Sequence, residues 1–398
     1  MIVKRITAIC LAMLLTATIL PALAVNAAAP RVNHQTVETT VVVDGFEITT
    51  ETVTIDGTVL VPFRFLEEAV GAITTYNPRN RRISIRTAAF QFNLEVGSVN
   101  YTRNAARRRL DVAPVLIRNV PFVPMYNIIT GIGGTFGVDI ANRLLTVTYF
   151  SNMTGSVIIS GSTTLYPFAV AAADHLNSIN EGLTVNVSGG GSGAGRNAVI
   201  DGTTHIGMDS GSPNEAQRRA IREFIPVAFD AVAIVVHPSN PIENLTTEQA
   251  AGIFLGEITN WNQVGGSNAP IIVHVRDGLS GTGDTVQSML LSGTPWIGTA
   301  TPHASNGLQR NAVSTDPNAI GFLSVGYLDG TVSGVSLNGI VPNFETVSSG
   351  AYPLSRNLNL LSLRRPTGNS ARFIDFIRSA HGQSIVAEAE FLPIRPLH

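Results

Sequence analysis

Apolar and polar positions alternate with two different periods along residues 155–208. Short apolar runs at 157–160, 183–187 and 205–208 suit buried strands, and the segments at 168–178 and 196–201 carry apolar residues at helical spacing. Strands that alternate with helices predict an α/β domain with a mostly parallel sheet. Ligands in such sheets bind at the carboxyl ends of the strands, so the loops that follow the strands are the candidates for function.

Residues 41–150 show a different pattern, with short strands and one helix-like segment in each half, at 63–70 and 125–132. The two halves also repeat in sequence at a constant offset of 62 positions: Val61-Pro62-Phe63 recurs as Val123-Pro124-Met125, Gly71 as Gly133, Asn80 as Asn142, Arg81 as Arg143, and 83–85 as 145–147. An offset kept over so long a stretch predicts a small duplicated α+β module. A polar stretch, 151–155, separates it from the α/β domain.

The first 27 residues have the pattern of a secretory signal peptide. Lys4 and Arg5 precede an apolar run at 6–20, and small residues at 22–24 and 25–27 offer cleavage sites. The apolar run is short for a membrane span. We therefore expect an exported protein, located outside the cytoplasm at the cell surface or in a periplasm.

Composition narrows the chemistry, because the chain has one cysteine, Cys10, and one lysine, Lys4, and both lie in the predicted leader. The mature chain therefore has no residue for thiolate, disulfide, Schiff-base or P-loop lysine chemistry. Loss of Lys4 and Arg5 changes the formal net charge from −2 to −4. Residues 155–398 carry 12 Arg against 18 Asp and Glu, so any anion bound there must be held by local donors.

The stretch 275–283, Val-Arg-Asp-Gly-Leu-Ser-Gly-Thr-Gly, combines such donors. It places Arg276 shortly before Ser280, Gly281 and Thr282, at the start of an amphipathic segment at 284–291. Free N–H groups at a helix start attract anions, and a guanidinium adds a two-pronged contact to an oxyanion. The same residues also suit an ordinary turn with a helix cap.

Three further loops with hydroxyls or glycines follow predicted strands, at 161–167, 188–195 and 207–210. Glycine lets a backbone approach a ligand closely. Four such loops in one α/β unit, with one arginine among them, indicate an anion site.

Residues 155–398 resemble the PstS family, the phosphate-binding proteins of bacterial ABC phosphate transporters. The resemblance lies in Gly-Ser-Thr-Thr at 161–164, Ser-Gly-Gly-Gly-Ser-Gly-Ala-Gly at 188–195, Ile-Thr-Asn-Trp at 258–261, Asn-Ala-Ile-Gly-Phe at 318–322, Tyr-Pro-Leu-Ser-Arg at 352–356 and Phe-Ile-Asp-Phe at 373–376. It implies a two-lobed type II periplasmic-binding-protein fold, with a first lobe at 155–235 and 340–398 and a second at 236–339. It also implies a set of phosphate-binding residues: Thr163, Thr164, Leu165, Ser192, Asp209, Ser210, Arg276, Ser280, Gly281 and Thr282.

Two positions depart from that family pattern. Some members carry an aspartate in the third loop that accepts the proton of hydrogen phosphate; here Ser210 occupies the aligned place and Asp209 comes one position earlier. If Asp209 faces the site, it penalises sulfate, and if it faces away, selectivity is weaker. Gly283 replaces an arginine that often follows Ser-Gly-Thr in the family.

Residues 37–150 resemble the copper amine oxidase N-terminal-like module, through Leu-Val-Pro-Phe-Arg at 60–64 and the following Ala-Val-Gly-Ala at 69–72. That module carries no oxidase chemistry. Two arginine patches, Arg79 with Arg81 and Arg82, and Arg103 with 107–109, suit either an anionic cell-wall polymer or a solvated face. They lack the interleaved aromatics of a nucleic-acid site.

Phosphate binding for delivery to the permease subunits of an ABC importer is therefore the predicted function. The alternative is a surface display, adhesion or sensing protein whose anion site is vestigial or used for signalling. No enzyme activity, metal or cofactor is expected, because a Gly-x-Ser-x-Gly elbow is missing around Ser192 and Ser280 and the histidines are scattered.

Overall fold

A computed structural model describes residues 35–139 and 144–395. The predicted signal peptide at 1–27, and Asn142 and Arg143 of the repeat, lie outside these ranges. Within them, no helix combines the length and the apolar character needed to cross a membrane.

The N-terminal module consists of short strands and two helices. In chain order they are β1 (Val37–Val43), β2 (Phe46–Ile55), β3 (Thr58–Pro62), α1 (Phe65–Val70), β4 (Ile73–Asn77), β5 (Arg82–Arg86), β6 (Gln91–Glu95), β7 (Asn100–Arg103), β8 (Ala106–Arg109), β9 (Val115–Ile117), β10 (Val120–Pro124), α2 (Met125–Gly131), β11 (Thr135–Asp139) and β12 (Leu144–Thr148). One sheet has the order β11-β12-β1-β2-β3-β10-β9, and a second sheet is formed by β4 to β8 in sequence.

Both halves of the module follow the same local succession of strand, helix and two strands, as the sequence repeat predicts. Strands β3 and β10 of the two halves pair antiparallel, with Val61 opposite Val123. Because these two valines are equivalent positions of the repeat, the pairing is symmetric about them. Both are fully buried, so the repeated apolar position forms the centre of the module.

The α/β domain has the alternation expected from the sequence. Its elements are β13 (Gly155–Gly161), α3 (Tyr166–Ser178), β14 (Leu183–Ser188), α4 (Ser192–Ile200), β15 (Ile206–Asp209), α5 (Glu215–Ala220), β16 (Glu223–Val236), β17 (Asn244–Leu245), α6 (Thr247–Leu255), β18 (Ile272–Arg276), α7 (Gly281–Thr285), β19 (Thr301–His303), α8 (Asn306–Thr315), β20 (Ala319–Ser324), β21 (Ser333–Leu337), α9 (Phe344–Ser348), β22 (Ser355–Ser362), α10 (Gly368–Arg378), α11 (Ala380–Glu388) and β23 (Leu392–Pro393). A π-helical turn, Val286–Leu290, continues α7.

Helix α4 begins earlier than the apolar spacing predicts, at Ser192 within the glycine-rich loop. A Cβ at Gly195 would lie 2.7 Å from the Cα of Gly161 and 2.8 Å from the carbonyl oxygen of Ser160. Glycine here allows the helix to lie directly against β13, a backbone approach that apolar periodicity does not register.

The strand order β14-β13-β15-β22-β16-β20-β18-β19 describes two sheets joined through β16, which is the two-lobed type II arrangement. The first half of β16 pairs with β22 up to Ala231, and from Val232 onward it pairs with β20. We call the part with β13–β15, β22, α3–α5, α10 and α11 the first lobe, and the part with β17–β21 and α6–α9 the second lobe. Val347, Tyr352 and Leu354 pack in the core of the second lobe, although they follow position 340, the predicted boundary.

The module and the first lobe share one hydrophobic core, in which Leu66 and Phe150 of the module meet Phe376 and Val386. The pairing of Phe150 with Phe376 is edge-to-face, with ring centroids 5.3 Å apart. At Gly71, which ends α1 with φ +66°, a Cβ would overlap the carbonyl oxygen of Asp375 in α10. The module is thus built onto the first lobe by direct contact of backbone and side chains.

The polar stretch that joins the two parts is also fixed. Asp44 accepts hydrogen bonds from the N–H groups of Tyr149, Phe150 and Ser151 and from the Ser151 hydroxyl, at 2.6–3.1 Å. A carboxylate that gathers three successive N–H groups holds the chain at this point in one conformation.

Candidate functional site

The predicted binding residues meet where the two lobes face each other. Thr163 and Thr164 lie between β13 and α3, and Leu165 caps that helix; Ser192 begins α4, and Asp209 ends β15. Arg276 ends β18, and Ser280 caps α7, whose first residues are Gly281 and Thr282. These are carboxyl ends of strands and starts of helices, as the α/β pattern indicates.

Arg276 is the buried cation of the site, with 1 % of its surface exposed. Its guanidinium donates to the carbonyl oxygens of His303 and Ala304, to Asn306 Oδ1 and to Thr163 Oγ1 of the opposite lobe, at 3.0–3.3 Å. All four acceptors are neutral, and no ion pair to Arg276 occurs among the described residues. Burial is the main cause that lowers the pKa of Arg276 to about 10, and the neighbouring Asp277 offsets it only in part.

Hydroxyl groups from both lobes surround the same point. Thr164 Oγ1 lies 3.2 Å from Thr282 Oγ1 across the cleft, and Asn306 Nδ2 donates to Thr164 Oγ1 at 3.1 Å. The hydroxyl of Ser210 contacts those of Ser162 and Ser192, at 2.8 and 3.3 Å. Hydroxyls can donate to an oxyanion while they accept from a neighbour, so the cluster is suited to a small oxygen-rich anion.

Gly281 lies where the backbones of the two lobes come close together. A Cβ on this residue would lie 2.7 Å from the N atom of Gly211 and from Ser210 Oγ, and closer still to Ser192 Oγ. Ser280 Oγ accepts from the N–H of Gly283 at 3.1 Å, which is a helix cap. An anion site and a helix cap are compatible in this loop, since the Ser280 hydroxyl that accepts this bond retains its own proton to donate.

Arg356 is a second guanidinium at the site, which the sequence reasoning missed. It lies in β22, is paired with Asp230 of β16 at 2.6 Å, and donates to Thr164 Oγ1 at 3.4 Å and Thr282 Oγ1 at 3.2 Å. Its Nη1 donates to the carbonyl oxygen of Ser210 at 2.7 Å. Arg356 therefore approaches the hydroxyl cluster from the strands that join the lobes.

The sequence does contain an indication that Asp230 needs a partner such as Arg356. Asp230 stands inside the apolar run of β16 and is fully buried, and a buried carboxylate requires a partner. Asp230 Oδ1 also accepts from Ser324 of β20 at 2.7 Å. One carboxylate thus connects Arg356 to a strand of the second lobe, at the place where β16 passes between lobes.

Ser210 and Asp209 point to different surroundings. Ser210 joins the hydroxyl cluster, whereas Asp209 Oδ1 lies 3.5 Å from Arg196 Nε and accepts from the N–H of Gly211 at 3.3 Å. Asp209 is fully buried, and burial raises its pKa to about 6 despite the nearby guanidinium. Ser210 thus lies in the hydroxyl cluster and Asp209 beside Arg196, and which of the two faces a bound ligand stays a prediction.

The histidines next to Arg276 are paired. His274 Nδ1 lies 2.9 Å from His303 Nε2, and burial lowers the pKa of both rings. Among the described residues no group of three or more His, Cys, Asp or Glu side chains could hold a metal ion.

The predicted arginine patches of the module lie apart from the cleft. Arg82 and strand β8, with Arg107 to Arg109, are exposed on the five-stranded sheet, whereas Arg81 and Arg103 donate to the carbonyl oxygens of Val96 and Gly131. Contact with a wall polymer stays a prediction.

Fold and site together define a two-lobed binding protein of the periplasmic-binding-protein type. Comparison with known proteins agrees: residues 151–381 match the PBP superfamily domain, and residues 41–147 match the Copper amine oxidase N-terminal domain. The phosphate-binding protein PstS of Bacillus subtilis is 30% identical over 244 residues, which cover 60% of this chain and 81% of that protein. PstS of Borreliella burgdorferi is 31% identical over 251 residues, covering 60% of this chain and 90% of that one.

A solved structure is similar as well. The putative phosphate ABC transporter substrate-binding protein of Clostridium perfringens, crystallised with bound phosphate, superimposes with a TM-score of 0.58 at 31% identity, over 61% of this chain and 100% of that one. The present chain therefore belongs to the PBP superfamily and, within it, to the PstS family, with a copper amine oxidase N-terminal-like module ahead of the binding domain.

Proposed function

We propose that this protein binds inorganic phosphate between its two lobes, outside the cytoplasm, and delivers it to the permease subunits of an ABC phosphate importer. The observation that carries the proposal is the environment of Arg276. This guanidinium is buried, all its hydrogen-bond acceptors are neutral, and it lies among hydroxyls of both lobes. A desolvated cation whose hydrogen-bond partners are all neutral is stabilised further when an anion lies beside it.

The charge and the hydroxyl groups of the site suit a tetrahedral oxyanion. Arg356 adds a second guanidinium, although Asp230 balances its charge, whereas Arg276 forms no ion pair with any residue that the structure describes. Thr164 and Thr282 approach from opposite lobes and Ser192 and Ser210 from the first, so that one small anion can contact all of them. Low dielectric in a closed cleft strengthens every such contact.

Closure is proposed to occur about β16 and the return segment before β22. Strand β16 changes partners between Ala231 and Val232, and Val232 N donates to Leu354 O at 3.0 Å. We place the second crossing between Tyr352 and Ser355, because Leu354 still packs in the second core. A hinge formed by two neighbouring strands permits one lobe to rotate against the other.

Isothermal titration calorimetry of the whole mature chain with phosphate tests the proposal, and the whole chain is needed because the module and the first lobe share a core. Arg276→Ala is expected to weaken phosphate binding by about 2–5 kcal/mol, the range for loss of a buried charged partner. Arg222→Ala, an exposed arginine of the first lobe, is the control. A loss of less than tenfold for Arg276→Ala would refute the assigned role.

The same titration separates other interpretations. Sulfate competition is expected to be measurable, because Asp209 is engaged by Arg196 and hydroxyls alone must discriminate. Absence of any phosphate heat at high micromolar ligand would instead favour a display or sensing role. Turnover of a phosphomonoester that disappears with Arg276→Ala would contradict the expectation of a binding protein without catalysis.

A further inference from the structure

A salt bridge between Arg196 and Asp284 also crosses the cleft. Arg196 lies on α4, which packs on β13 and β15 of the first lobe, and Asp284 lies on α7 of the second lobe. Arg196 Nη2 is 2.5 Å from Asp284 Oδ2. The arginine side chain is 5% exposed and the aspartate 27%, so water screens the pair only in part.

The two lobes must be close together for this pair to form. A Cβ on Gly211 would lie 2.6 Å from the Cα of Gly281 and 2.7 Å from Asp284 Oδ2, so two backbone segments of opposite lobes meet beside it. Gly193 N also donates across the cleft to Leu279 O at 2.9 Å. Rotation of the lobes about β16 would separate α4 from α7 and break the pair.

Arg196 has a second carboxylate within its own lobe. Asp209 Oδ1 is 3.5 Å from Arg196 Nε, and Asp209 Oδ2 has no hydrogen-bond partner in the part of the chain that the structure describes. Ser192 O and Gln217 Oε1 accept from the same guanidinium at 3.2 and 3.3 Å. These contacts are all made within the first lobe, so we expect them to hold Arg196 toward the cleft in an open form as well.

We propose that Arg196 and Asp284 form an inter-lobe latch that holds the closed form around the bound anion, with Asp209 orienting Arg196 for the second lobe. The proposal rests on the proposed function. Both latch residues are positioning residues, since they act on the ligand through closure. An interaction made only after closure slows opening and release, and it leaves the encounter with the anion largely unchanged.

Release of radioactive phosphate into excess unlabelled phosphate measures the latch directly. Asp284→Asn is expected to raise the dissociation rate about tenfold or more, with the association rate within about twofold of wild type, because loss of a charge partner made on closure acts mainly on dissociation. Glu215→Gln, which removes an exposed carboxylate paired with Arg219 four residues away, is the control and should leave both rates unchanged. Circular dichroism melting verifies that each variant is folded.

The dependence of release on ionic strength is a second measurement of the latch. Salt screens a partly exposed ion pair, so the wild-type dissociation rate should rise with ionic strength, and in Asp284→Asn that dependence should be much weaker. Asp209→Asn should speed release less than Asp284→Asn does, because it weakens the contact that orients Arg196 while the Arg196–Asp284 pair itself remains.

The outcomes distinguish the two proposals. Wild-type protein that binds no phosphate contradicts the proposed function itself. Wild-type protein that binds phosphate, with an Asp284→Asn dissociation rate within twofold of its own and the same salt dependence, overturns the latch and leaves phosphate binding intact.

Discussion

Replacement of Asp375 tests whether the module and the first lobe are one folding unit. This α10 side chain is fully buried at their boundary. It accepts hydrogen bonds from the N–H of Ala88 at 2.6 Å and from the hydroxyl of Tyr149 at 2.8 Å, and both donors belong to the module. Asp375→Ala removes both acceptors at once, whereas Asp375→Asn keeps an oxygen for Ala88 and an amide group for Tyr149.

The expected magnitude follows from the donors that are left unpaired. Each buried donor without a partner costs about 1–3 kcal/mol, and the loss is reduced because the alanine variant no longer buries a carboxyl group. We therefore expect Asp375→Ala to lower the free energy of unfolding by about 2–5 kcal/mol. Below about pH 4, where the wild-type carboxyl is protonated, we expect Asp375→Asn to change the free energy of unfolding by about 1 kcal/mol or less, since its side chain can still bond both partners.

The pH dependence has a defined sign. Burial is the main cause that raises the pKa of Asp375 to about 7, well above the value near 4 of an unfolded aspartate. A folded-state pKa above the unfolded value gives stability that is complete below pH 4 and is lost as the pH rises through 7. The asparagine side chain of Asp375→Asn does not titrate. The free energy of unfolding of this variant, relative to that of wild type, should therefore be higher at pH 8 than at pH 5.

Urea unfolding of the whole chain, followed by far-ultraviolet circular dichroism, measures these differences. The midpoint should fall for Asp375→Ala with little change in slope, because the surface exposed on unfolding is nearly the same. Tyr149→Phe removes one of the two donors and should give a smaller loss. An alanine variant within about 0.5 kcal/mol of wild type, the usual effect of a surface substitution, would refute the reasoning.

Two further predictions concern the cleft. Gly281→Ala should weaken phosphate binding more than tenfold at unchanged thermal stability, because a Cβ at this position would collide with Ser192 and prevent closure. Gly278→Ala in the same loop is the control, since a Cβ there would have no atom within 4 Å. Equal phosphate affinities for the two variants would contradict the closed geometry. Arg356→Lys should keep an ion pair with Asp230 but lose the forked hydrogen bonding of the guanidinium to the site. The phosphate affinity measured by calorimetry should therefore fall by about tenfold. An unchanged affinity would show that Arg356 does not contribute to phosphate binding.

Local chemistry let the sequence predict the cleft loops. Arg276, Ser280 and Thr282 are close in the chain, and their residue types alone indicate an anion near a helix start. The strands that end at these loops were predicted from apolar runs, which is why residues distant in sequence, such as Thr164, were expected nearby. The structure confirms the fold class, and whether these side chains contact a ligand stays a prediction.

The features that the sequence did not predict arise from contacts between segments that are far apart in the chain. Arg356 meets Asp230 through the register of β16 and β22, and no spacing rule connects residues so far apart. The direction of Asp209 is set by Arg196, one helix away, which competes with the hydroxyl cluster for that carboxylate. Packing of the module on α10 is likewise a matter of surface shape, which local periodicity does not encode.

Attachment of the module to one lobe has a practical use. Because the module packs on the first lobe through a shared core, a probe placed on the module reports the position of the first lobe. Movement of the second lobe can then be measured relative to that probe. Cys10, the only cysteine of the sequence, lies in the predicted leader, and thiols introduced at the exposed positions Asn93 and Leu308 would be unique labelling points in the mature chain. Spin or fluorescent labels there would turn each binding event into a change of distance, without any modification of the cleft.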